Sequence, residues 1–568
     1  MRNTAIVLVI LSLLAGAAQA QVTRDGRVFE GYEFLGPSSG PLLQPYYFTS
    51  DRTLDPDTLY TLRGQVYVED GASLTIPANT LILGEPAGTI VVKRGGQIFI
   101  DGTVVEPVIM TSSRAPGARD SGDWGGLVIL GRAPINRDPE STNIEGGIIE
   151  GTYGGDIPDD NSGRITYLRI EFAGYRFEEG TEINGLTMGG LGYGTELHHV
   201  QVSFANDDSY EWFGGTVDAH HLVALGGLDD DFDVDDGFTG RLQFLFGMKY
   251  PDVYDGAGSS NGFENDSRND ALPLSHPIYS NVTLVGPERI DALVGNLPVG
   301  NTHANMGVLR ENTRSSIFNS VLVGFVRGWS IRDGSIQQAI DDNLRIRNTS
   351  VTTMYDGYDG GAAHDTGRWA DVVTWFGNPA YNNEGATQRM PSTVGLTNMD
   401  NLTDPQPQPL LFSELDGTAD FSDPYLADVA DRYSFDTSAN YRGAFVPDTA
   451  MDQQWTAGWT NFDPQNTSYI VVGVRDEGGL PSAEASLRNF PNPFNPKTTI
   501  RFNVPRAGNV NLVVYDVAGR TVAELHRGEL AAGQFSIDFD GNNLSSGTYF
   551  ARLEGDGFVA TQKMQLVK

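Results

Sequence analysis

One segment of this chain occurs twice. Residues 198–215 align with residues 220–237 after a shift of 22 positions, and both copies contain a histidine pair, an acidic pair and a final glycine. A repeat of about 20 to 25 residues is typical of a solenoid, in which each repeat is one coil stacked on the coil before it. In the second copy Phe232 and Val234 alternate with acidic residues, which is the period of a strand with one buried face. The duplication therefore predicts consecutive coils of a parallel β-helix.

Stacking the two copies would bring their acidic residues together. The alignment places Glu211 over Asp233, and neighbouring coils lie about 4.8 Å apart. Two carboxylates at that distance repel each other by about 1 kcal/mol in water and by about 3–4 kcal/mol at an effective dielectric constant near 20. A bound cation would relieve this repulsion, and many carboxylate oxygens together suit Ca²⁺; the alternative is a solvated acidic surface. The predicted calcium ligands are Asp207, Glu211, Asp229, Asp231, Asp233 and Asp235.

The duplicated histidine pairs, residues 198–199 and 220–221, have a different expected role. Strand alternation predicts that one histidine of each pair faces the core, where a hydrogen-bonded histidine is the common outcome. A zinc site formed by imidazoles of neighbouring coils is the alternative interpretation.

Composition narrows the class of protein. The 568 residues include 68 glycines and 29 prolines but no cysteine, which favours a turn-rich all-β chain and excludes disulfides and thiolate metal sites. The net charge of −35 makes nucleic acid an unsuitable partner. A chain of this length is expected to form two or three domains.

Residues 64–111 support the solenoid, because runs of four or five β-forming residues alternate with Gly and Asp turns there. Short strands also occur in antiparallel sandwiches, but the hairpin dipeptides of such folds do not recur regularly here. The predicted fold class is all-β, with a right-handed parallel β-helix followed by a small C-terminal Ig-like β-sandwich.

The chain is predicted to begin with a signal peptide, because Arg2 precedes an apolar run and residues 18–20 form a small-residue cleavage site. No later segment has the length and hydrophobicity of a transmembrane helix. The predicted parts are a signal peptide (1–20), an N-terminal cap (21–60), the β-helix (61–358), an irregular C-terminal cap (359–480), a linker (481–489) and the sandwich (490–568).

Four motifs carry a resemblance to a known group. Gly-Asp-Trp-Gly-Gly at 122–126, Tyr-Leu-Arg-Ile-Glu-Phe-Ala-Gly at 167–174 and the acidic motifs at 207–217 and 229–233 resemble a group of exported bacterial β-helix proteins. The resemblance covers roughly residues 60–350. It implies a fold and an exported location, but it implies no reaction.

The last residues carry a second resemblance. Residues 490–568 contain Phe-Pro-Asn-Pro-Phe-Asn-Pro at 490–496, Ser-Gly-Thr-Tyr-Phe at 546–550 and a terminal Gln-Lys-Met-Gln-Leu-Val-Lys. This block resembles the type A sorting domain of the type IX secretion system. The resemblance implies a Gram-negative source, export across both membranes by the type IX machinery, and a secreted or cell-surface protein.

Two functions fit these features. The first is a non-catalytic surface protein that uses an acidic, calcium-binding face to bind glycans or partners. The second is a polysaccharide lyase or glycoside hydrolase acting along the same face, with Glu211, Asp233 and Arg241 as candidate catalytic residues. In either case Tyr210, Trp212 and Phe213 are candidates to stack on sugar rings if they are exposed, and the alternative is that these glycine-flanked aromatics fill the core.

Overall fold

The computed structural model describes most of the chain, and the predicted signal peptide lies outside the described residues. The described chain divides into two compact units, residues 32–467 and a smaller unit formed by residues before 32 and from 468 onward. Within the described residues, no helix is both long and apolar enough to span a membrane. The described residues are 22–24, 27–29, 31–39, 44–177, 183–256, 258–297, 302–303, 305–352, 369–387, 389–467, 469, 471–472, 475–476, 485–530, 532–541, 544–555 and 557–568.

The larger unit is a stack of coils that contribute strands to two long sheets. Sheet A has ten strands, numbered in chain order: β4 (Tyr46–Phe48), β7 (Gln65–Val68), β10 (Thr89–Val92), β13 (Gly126–Leu130), β15 (Leu186–Leu191), β17 (Tyr210–Gly215), β19 (Phe232–Asp235), β21 (Phe263–Asn265), β23 (Asn305–Leu309) and β26 (Arg327–Ile331).

Sheet B has sixteen strands. Its first and last coils contribute two short strands each, and the coils between them contribute one long strand each. The strands are β3 (Gly31–Leu35), β5 (Arg52–Thr53), β6 (Thr58–Leu62), β8 (Ser73–Pro77), β9 (Leu81–Gly84), β11 (Gln97–Asp101), β12 (Val108–Ser112), β14 (Gly163–Glu171), β16 (Glu196–Ser203), β18 (Ala219–Leu225), β20 (Arg241–Met248), β22 (Ile278–Val285), β24 (Ser316–Phe318), β25 (Val321–Val323), β27 (Ile346–Arg347) and β28 (Ser350–Val351).

The register confirms that the two copies of the duplicated segment lie directly over each other. Strands β17 and β19 pair in parallel with Glu211 opposite Asp233, and β16 and β18 pair in parallel with His198 opposite His220. Apolar side chains from both sheets fill the interior between them. The predicted parallel β-helix is therefore confirmed.

The long strands of sheet B bend at one residue in each coil. At the bend the backbone adopts a positive φ, 53° at His199 and 58° at His221. The left-handed residue resets strand alternation, so Leu197 and Val200, on either side of the histidine pair, both face the core. The residues at this bend, in coil order, are Tyr167, His199, His221, Phe244, Asn281, Asn319 and Asn348.

Two segments outside the coils cover the outer faces of the sheets. The insertion between β13 and β14 (residues 131–162) packs apolar side chains such as Ile135, Ile144 and Tyr153 on sheet A. The belt (residues 389–467) packs on sheet B through side chains such as Phe445 and Trp459. The belt includes the pair β29 (Leu396–Asn398) and β30 (Gln406–Pro409).

The segment boundaries differ from the predicted ones at both ends of the β-helix. The first coil includes β4, β5 and β6, so residues 46–60 belong to the coils rather than to a cap. Of the predicted C-terminal cap, residues 369–387 cover the end of the core through Val372, Trp375 and Phe376, whereas residues 389–467 run along a sheet face instead. Of the predicted linker 481–489, residues 481–484 lie outside the described residues and Ser486 already begins a strand.

Helices are few and short in the described part. They are the α-helices α1 (Asp333–Ile340) and α2 (Val372–Phe376) and the 3₁₀ turns Asp291–Leu293, Pro379–Tyr381, Pro391–Thr393, Pro424–Leu426 and Met451–Gln453.

The smaller unit contains two four-stranded antiparallel sheets around one apolar core, which is the predicted small sandwich. The strands of this unit are β1 (Val22–Arg24), β2 (Arg27–Phe29), β31 (Val471–Val472), β32 (Arg475–Asp476), β33 (Ser486–Phe490), β34 (Lys497–Val504), β35 (Gly508–Asp516), β36 (Thr521–Leu530), β37 (Gly533–Asp540), β38 (Gly547–Gly555) and β39 (Phe558–Leu566). One sheet has the order β32-β37-β34-β33 and the other β36-β35-β38-β39, and a three-stranded sheet of order β2-β1-β31 belongs to the same unit.

Candidate functional site

A column of carboxylates runs across the outer face of sheet A. Glu211 in β17 lies opposite Asp233 in β19, which in turn lies opposite Glu264 in β21. These residues alternate with core residues such as Trp212 and Val234, so strand alternation turns the acidic side chains outward. The acidic column exists and is one coil longer than the duplication indicates.

A second column of Asn and Asp side chains precedes these strands. The Asp208 N–H donates to Asn184 Oδ1 (3.2 Å), the Asp230 N–H donates to Asp208 Oδ1 (2.8 Å), and the Asn261 N–H donates to Asp230 Oδ1. The Asn305 N–H continues the pattern by donating to Asn261 Oδ1 (3.0 Å). Each side chain thus accepts a backbone hydrogen bond from the next coil, which fixes two buried aspartates beside the acidic column.

The two columns meet at Asp208. Its carboxylate oxygens lie within 4.8 Å of ligand oxygens of Asp207 and Asp229 on one side, and of Glu211 and Asp233 on the other. Oxygens on opposite sides of a Ca²⁺ ion are about 4.6–5.2 Å apart, since each Ca–O bond is about 2.3–2.6 Å. Both groups of three carboxylates are therefore compact enough to share a calcium ion.

Burial and mutual repulsion favour the protonated form of these acids. Burial, followed by the charges of neighbouring carboxylates, raises the pKa values of Asp208, Glu211 and Asp233 well above their usual range. The same causes raise the pKa of Asp235 to about 6 and that of Asp266 to about 8. A cation that replaces the protons would let these carboxylates ionise together.

Arginines neutralise the far end of the acidic face. Arg310 forms ion pairs with Glu264 and with Asp266 (Nε to Oδ2, 2.7 Å), and Arg137 from the insertion lies 3.6 Å from Asp235. Among the described residues, no lysine or arginine lies within ion-pair distance of Glu211 or Asp233. The arginines therefore compensate the negative charge around Glu264, Asp266 and Asp235. Asn184 donates its amide to Glu211 Oε2.

A polar pocket of about 810 Å³ lies at the arginine-rich end of this face. Its lining combines acidic side chains with the guanidinium groups of Arg137 and Arg268. The residues that line it are Asn136, Arg137, Asp138, Thr142, Asp235, Asp266, Arg268, Asn269, Ala271 and Glu311.

The structure removes Asp231 from the predicted calcium ligands. Asp231 is fully buried immediately before β19 and forms an ion pair with Lys249 (3.1 Å). Burial raises the pKa of Asp231 to about 6, although Lys249 opposes the increase. Asp231 therefore belongs to an internal ion pair: it precedes β19, so strand alternation does not fix its direction, and it pairs with Lys249 instead.

Arg241 does not lie near the acidic column, so it cannot act on the same substrate as Glu211 and Asp233. It begins β20 in sheet B and donates to the carbonyl oxygens of Tyr433 (2.9 Å) and Ala427 (2.9 Å). Its guanidinium also lies 4.4 Å from the ring centre of Phe435. Arg241 holds the belt against sheet B.

The three aromatic candidates for stacking on sugar rings are buried. Tyr210 and Trp212 are in the core, where the Tyr210 hydroxyl donates to the Val200 carbonyl oxygen (2.7 Å). Phe213 faces outward but is covered by the insertion, with its ring 6.0 Å from that of Tyr153. None of the three offers a free face to a ligand.

Sequence reasoning missed several residues of the acidic face. Glu264 and Asp266 correspond to Asp233 and Asp235 in the coil below. The turn between these two coils is longer, so the corresponding residues are not 22 positions apart and the repeat comparison does not align them. Glu145 comes from the insertion, which the repeat pattern does not place. The Phe-Glu-Asn-Asp motif at 263–266, which repeats Phe-Asp-Val-Asp at 232–235, was the available signal.

Two families match parts of the chain. A pectate-lyase like beta helix domain matches residues 47–391, which is more than half of the chain. A secretion system C-terminal sorting domain matches residues 488–567. No curated protein matches the chain.

The chain therefore belongs to the family of pectate-lyase-like β-helix proteins. Its smaller unit carries a type IX sorting domain, as the resemblance of residues 490–568 implied. The protein is exported by the type IX secretion system to the cell surface or the extracellular space.

Proposed function

We propose that this exported protein is a non-catalytic glycan-binding protein whose acidic face on sheet A binds Ca²⁺. The observation that carries the proposal is the meeting of two carboxylate columns at Asp208, within 4.8 Å of Glu211, Asp233, Asp207 and Asp229. Hard oxygen ligands in this number are what Ca²⁺ prefers. The ion would lower the repulsion that otherwise keeps these acids protonated.

The polar pocket beside this column is the proposed glycan site. Its volume of about 810 Å³ is within the usual range for ligand pockets. Arg137 and Arg268 are suited to a sugar carboxylate, because a guanidinium offers two parallel donors. Asp235 and Asp266 can accept hydrogen bonds from sugar hydroxyls. This combination favours an acidic polysaccharide as the ligand.

Calorimetric titration with Ca²⁺ tests the ion site. We expect binding by the wild-type protein and an affinity lower by at least about tenfold in Glu211→Gln and Asp233→Asn, because each substitution removes one ligand charge. Asp404→Asn is the matched control, since Asp404 is exposed on the belt and away from the face. Unchanged affinity in both site variants would refute the calcium site.

Binding to a panel of acidic and neutral polysaccharides tests the pocket. We expect an acidic polysaccharide to bind in Ca²⁺ and to dissociate in EDTA. Arg268→Gln should weaken this binding while leaving the Ca²⁺ affinity unchanged, because Arg268 lines the pocket but not the carboxylate cluster. Equal binding by Arg268→Gln and wild type would place the glycan elsewhere.

The alternative is a polysaccharide-degrading enzyme, favoured by the raised pKa values of Glu211 and Asp233. A carboxyl group that stays protonated near neutral pH can act as a general acid beside an ionised partner. The same polysaccharide panel, read for new reducing ends or unsaturated products, distinguishes the two functions. Turnover that both Glu211→Gln and Asp233→Asn abolish would overturn the non-catalytic proposal.

A further inference from the structure

Four imidazoles form a two-by-two array on the outer face of sheet B. The rings of His198 and His220 stack with centres 4.8 Å apart at an interplanar angle of 15°, and those of His199 and His221 stack at 4.5 Å and 6°. Within each coil the two rings are nearly perpendicular, at 83° and 81°. The array lies on the same two coils as the carboxylate columns but on the other sheet.

The expectation that one histidine of each pair faces the core is wrong. Because His199 and His221 have a positive φ, two consecutive side chains in each coil face outward instead of one. Because the neighbouring coil repeats the conformation, both columns of imidazoles stay in register. All four histidine residues are only partly buried.

The ring nitrogens face one another within each coil. The Nδ1 atoms of His198 and His199 lie 2.9 Å apart, and those of His220 and His221 lie 2.6 Å apart. Two nitrogens about 2.0 Å from one metal ion are about 2.8 Å apart at a right angle and about 3.3 Å apart at the tetrahedral angle. The His198–His199 spacing lies within this range and the His220–His221 spacing slightly below it, so a small adjustment of the second pair would let each pair supply two adjacent ligands.

Glu196 fixes the tautomer of one imidazole. His198 Nε2 lies 3.1 Å from Glu196 Oε1, and an ionised carboxylate can only accept, so Nε2 carries the proton. Nδ1 of the neutral His198 ring is then an acceptor, and it faces Nδ1 of His199, which donates to it when no metal ion is bound. A carboxylate that orients the far nitrogen of a histidine is the usual outer partner of a metal-binding imidazole.

We propose that these four histidines bind one divalent first-row metal ion of the class that prefers imidazole: Cu²⁺, Ni²⁺ or Zn²⁺. Ligand nitrogens of His199, His220 and His221 lie within 4.8 Å of one another. Nδ1 of His198 lies 2.9 Å from Nδ1 of His199, so a metal ion held by His199 can also take His198 as a ligand in place of this contact. This site is independent of the calcium proposal, because it uses other residues and a softer donor.

Aromatic packing alone explains only part of the array. Tyr167 and Phe244 occupy the same bend in the coils below and above, and they stack on His199 (4.4 Å) and His221 (4.8 Å). A stacked column therefore needs only ring-shaped side chains at the bend. It does not require histidine at 198 and 220, nor a carboxylate on the far nitrogen of His198.

Belt residues form the wall of the site. The ring of Tyr433 stacks on His220 at 4.8 Å, and Trp455 and Trp459 approach His221 and His199 edge-on at 5.0 and 5.7 Å. These rings exclude water from one side and bring no carboxylate that would attract calcium. The surroundings favour nitrogen-bound transition metals over Ca²⁺.

The test uses the full mature protein without a histidine tag. We expect Cu²⁺, Ni²⁺ and Zn²⁺, each titrated alone, to bind at one ion per chain, and bound Cu²⁺ to show nitrogen hyperfine splitting in its electron paramagnetic resonance spectrum. A tenfold excess of Ca²⁺ should not compete. Failure of the folded wild-type protein to retain any of the three metals would overturn the proposal.

The variant His199→Tyr/His220→Gln removes two ligands and keeps the packing, because Tyr167 and Gln243 occupy those columns in neighbouring coils. We expect at least a tenfold loss of Cu²⁺ affinity with an unchanged far-ultraviolet circular dichroism spectrum. His526→Gln, in the smaller unit, is the matched control and should bind like wild type. Wild-type affinity in the double variant would refute the site. If the variant does not fold, protection of wild-type histidines from diethylpyrocarbonate by Cu²⁺ decides instead: protection supports the site, and its absence refutes it.

Discussion

The two faces of the duplicated coils show how backbone conformation decides what a repeated sequence presents. On sheet A, strict alternation turns one acidic side chain outward at a time, so Glu211, Asp233 and Glu264 form a single file. On sheet B, the left-handed residue in each coil turns two consecutive side chains outward, so the histidines form a double file. The same duplication thus produces an oxygen-rich face and a nitrogen-rich face.

The two faces also respond to pH in opposite directions. Burial and neighbouring carboxylates raise the pKa of Asp235 to about 6 and that of Asp266 to about 8. Burial lowers the pKa of His199 and His220 to about 3 and that of His221 to about 2. Both faces are more stable when neutral, but the acids become neutral at low pH and the imidazoles at high pH.

The largest expected effect comes from the core that both faces share. Trp212 is fully buried and its ring stacks on those of Tyr210 (5.8 Å) and Phe238 (5.5 Å). Trp212→Ala should lower the free energy of unfolding by about 3–5 kcal/mol, because it leaves a large cavity. Denaturant unfolding should show the loss, and both Ca²⁺ and Cu²⁺ affinities should fall together. Loss of only one of them would show that the faces are not mechanically coupled.

The pH dependence of stability in EDTA should separate the faces. Carboxyl groups with raised pKa values stabilise the fold below their unfolded pKa near 4, and this contribution is lost as the pH rises from about 4 to about 8. Histidines with lowered pKa values stabilise the fold above about 6.5, and this contribution is lost as the pH falls toward about 3. We expect stability to change by at least about 1.4 kcal/mol over each of these two pH ranges, the equivalent of one pKa unit, measured by denaturant unfolding.

Variants assign the two pH ranges to the two faces. Glu211→Gln/Asp233→Asn should reduce the loss of stability between about pH 4 and pH 8 (the alkaline limb). The same variant should leave the loss of stability below about pH 6.5 (the acid limb) unchanged. His199→Tyr/His220→Gln should do the reverse. If either pair of substitutions flattens both limbs, the opposition between the faces is incorrect.

A smaller effect should distinguish the structural from the electrostatic role of the Asn and Asp column. Asp230 accepts the Asn261 N–H, and Asn184 and Asn261 show that an amide fits the column. Asp230→Ala should cost about 1–2 kcal/mol, since it leaves a buried N–H without its acceptor. Asp230→Asn should instead stabilise the protein at pH 8 in EDTA, because it removes a charge. Thermal melts of both variants test this, and destabilisation by Asp230→Asn would contradict it.

Much of the fold was predictable because stacking needs only local periodicity. The match of residues 198–215 with 220–237 specified the register of two coils, and Glu211 lies over Asp233 as predicted. The wrong predictions arose where one backbone angle or a distant segment decides the outcome. The positive φ of His199 reverses the expected direction of its neighbour, and the insertion buries Phe213. Arg241 follows the acidic strand in sequence but lies on the other sheet, because each coil turns a corner between them.

The smallest effect on stability should come from Glu196, and it separates metal binding from packing. Glu196 is about half exposed and contacts His198 only through Nε2, so Glu196→Gln should change the free energy of unfolding by less than about 0.5 kcal/mol. A glutamine oxygen can still accept the proton, but its weaker basicity should lower Cu²⁺ affinity by roughly tenfold, since outer carboxylates strengthen imidazole ligands. Calorimetric titration with Cu²⁺ and with Ca²⁺ measures the metal affinity of each face in the same protein preparation. Because Glu196 lies on sheet B, the Ca²⁺ affinity should not change. A fall in Ca²⁺ affinity would mean that the charges of the two faces are not independent.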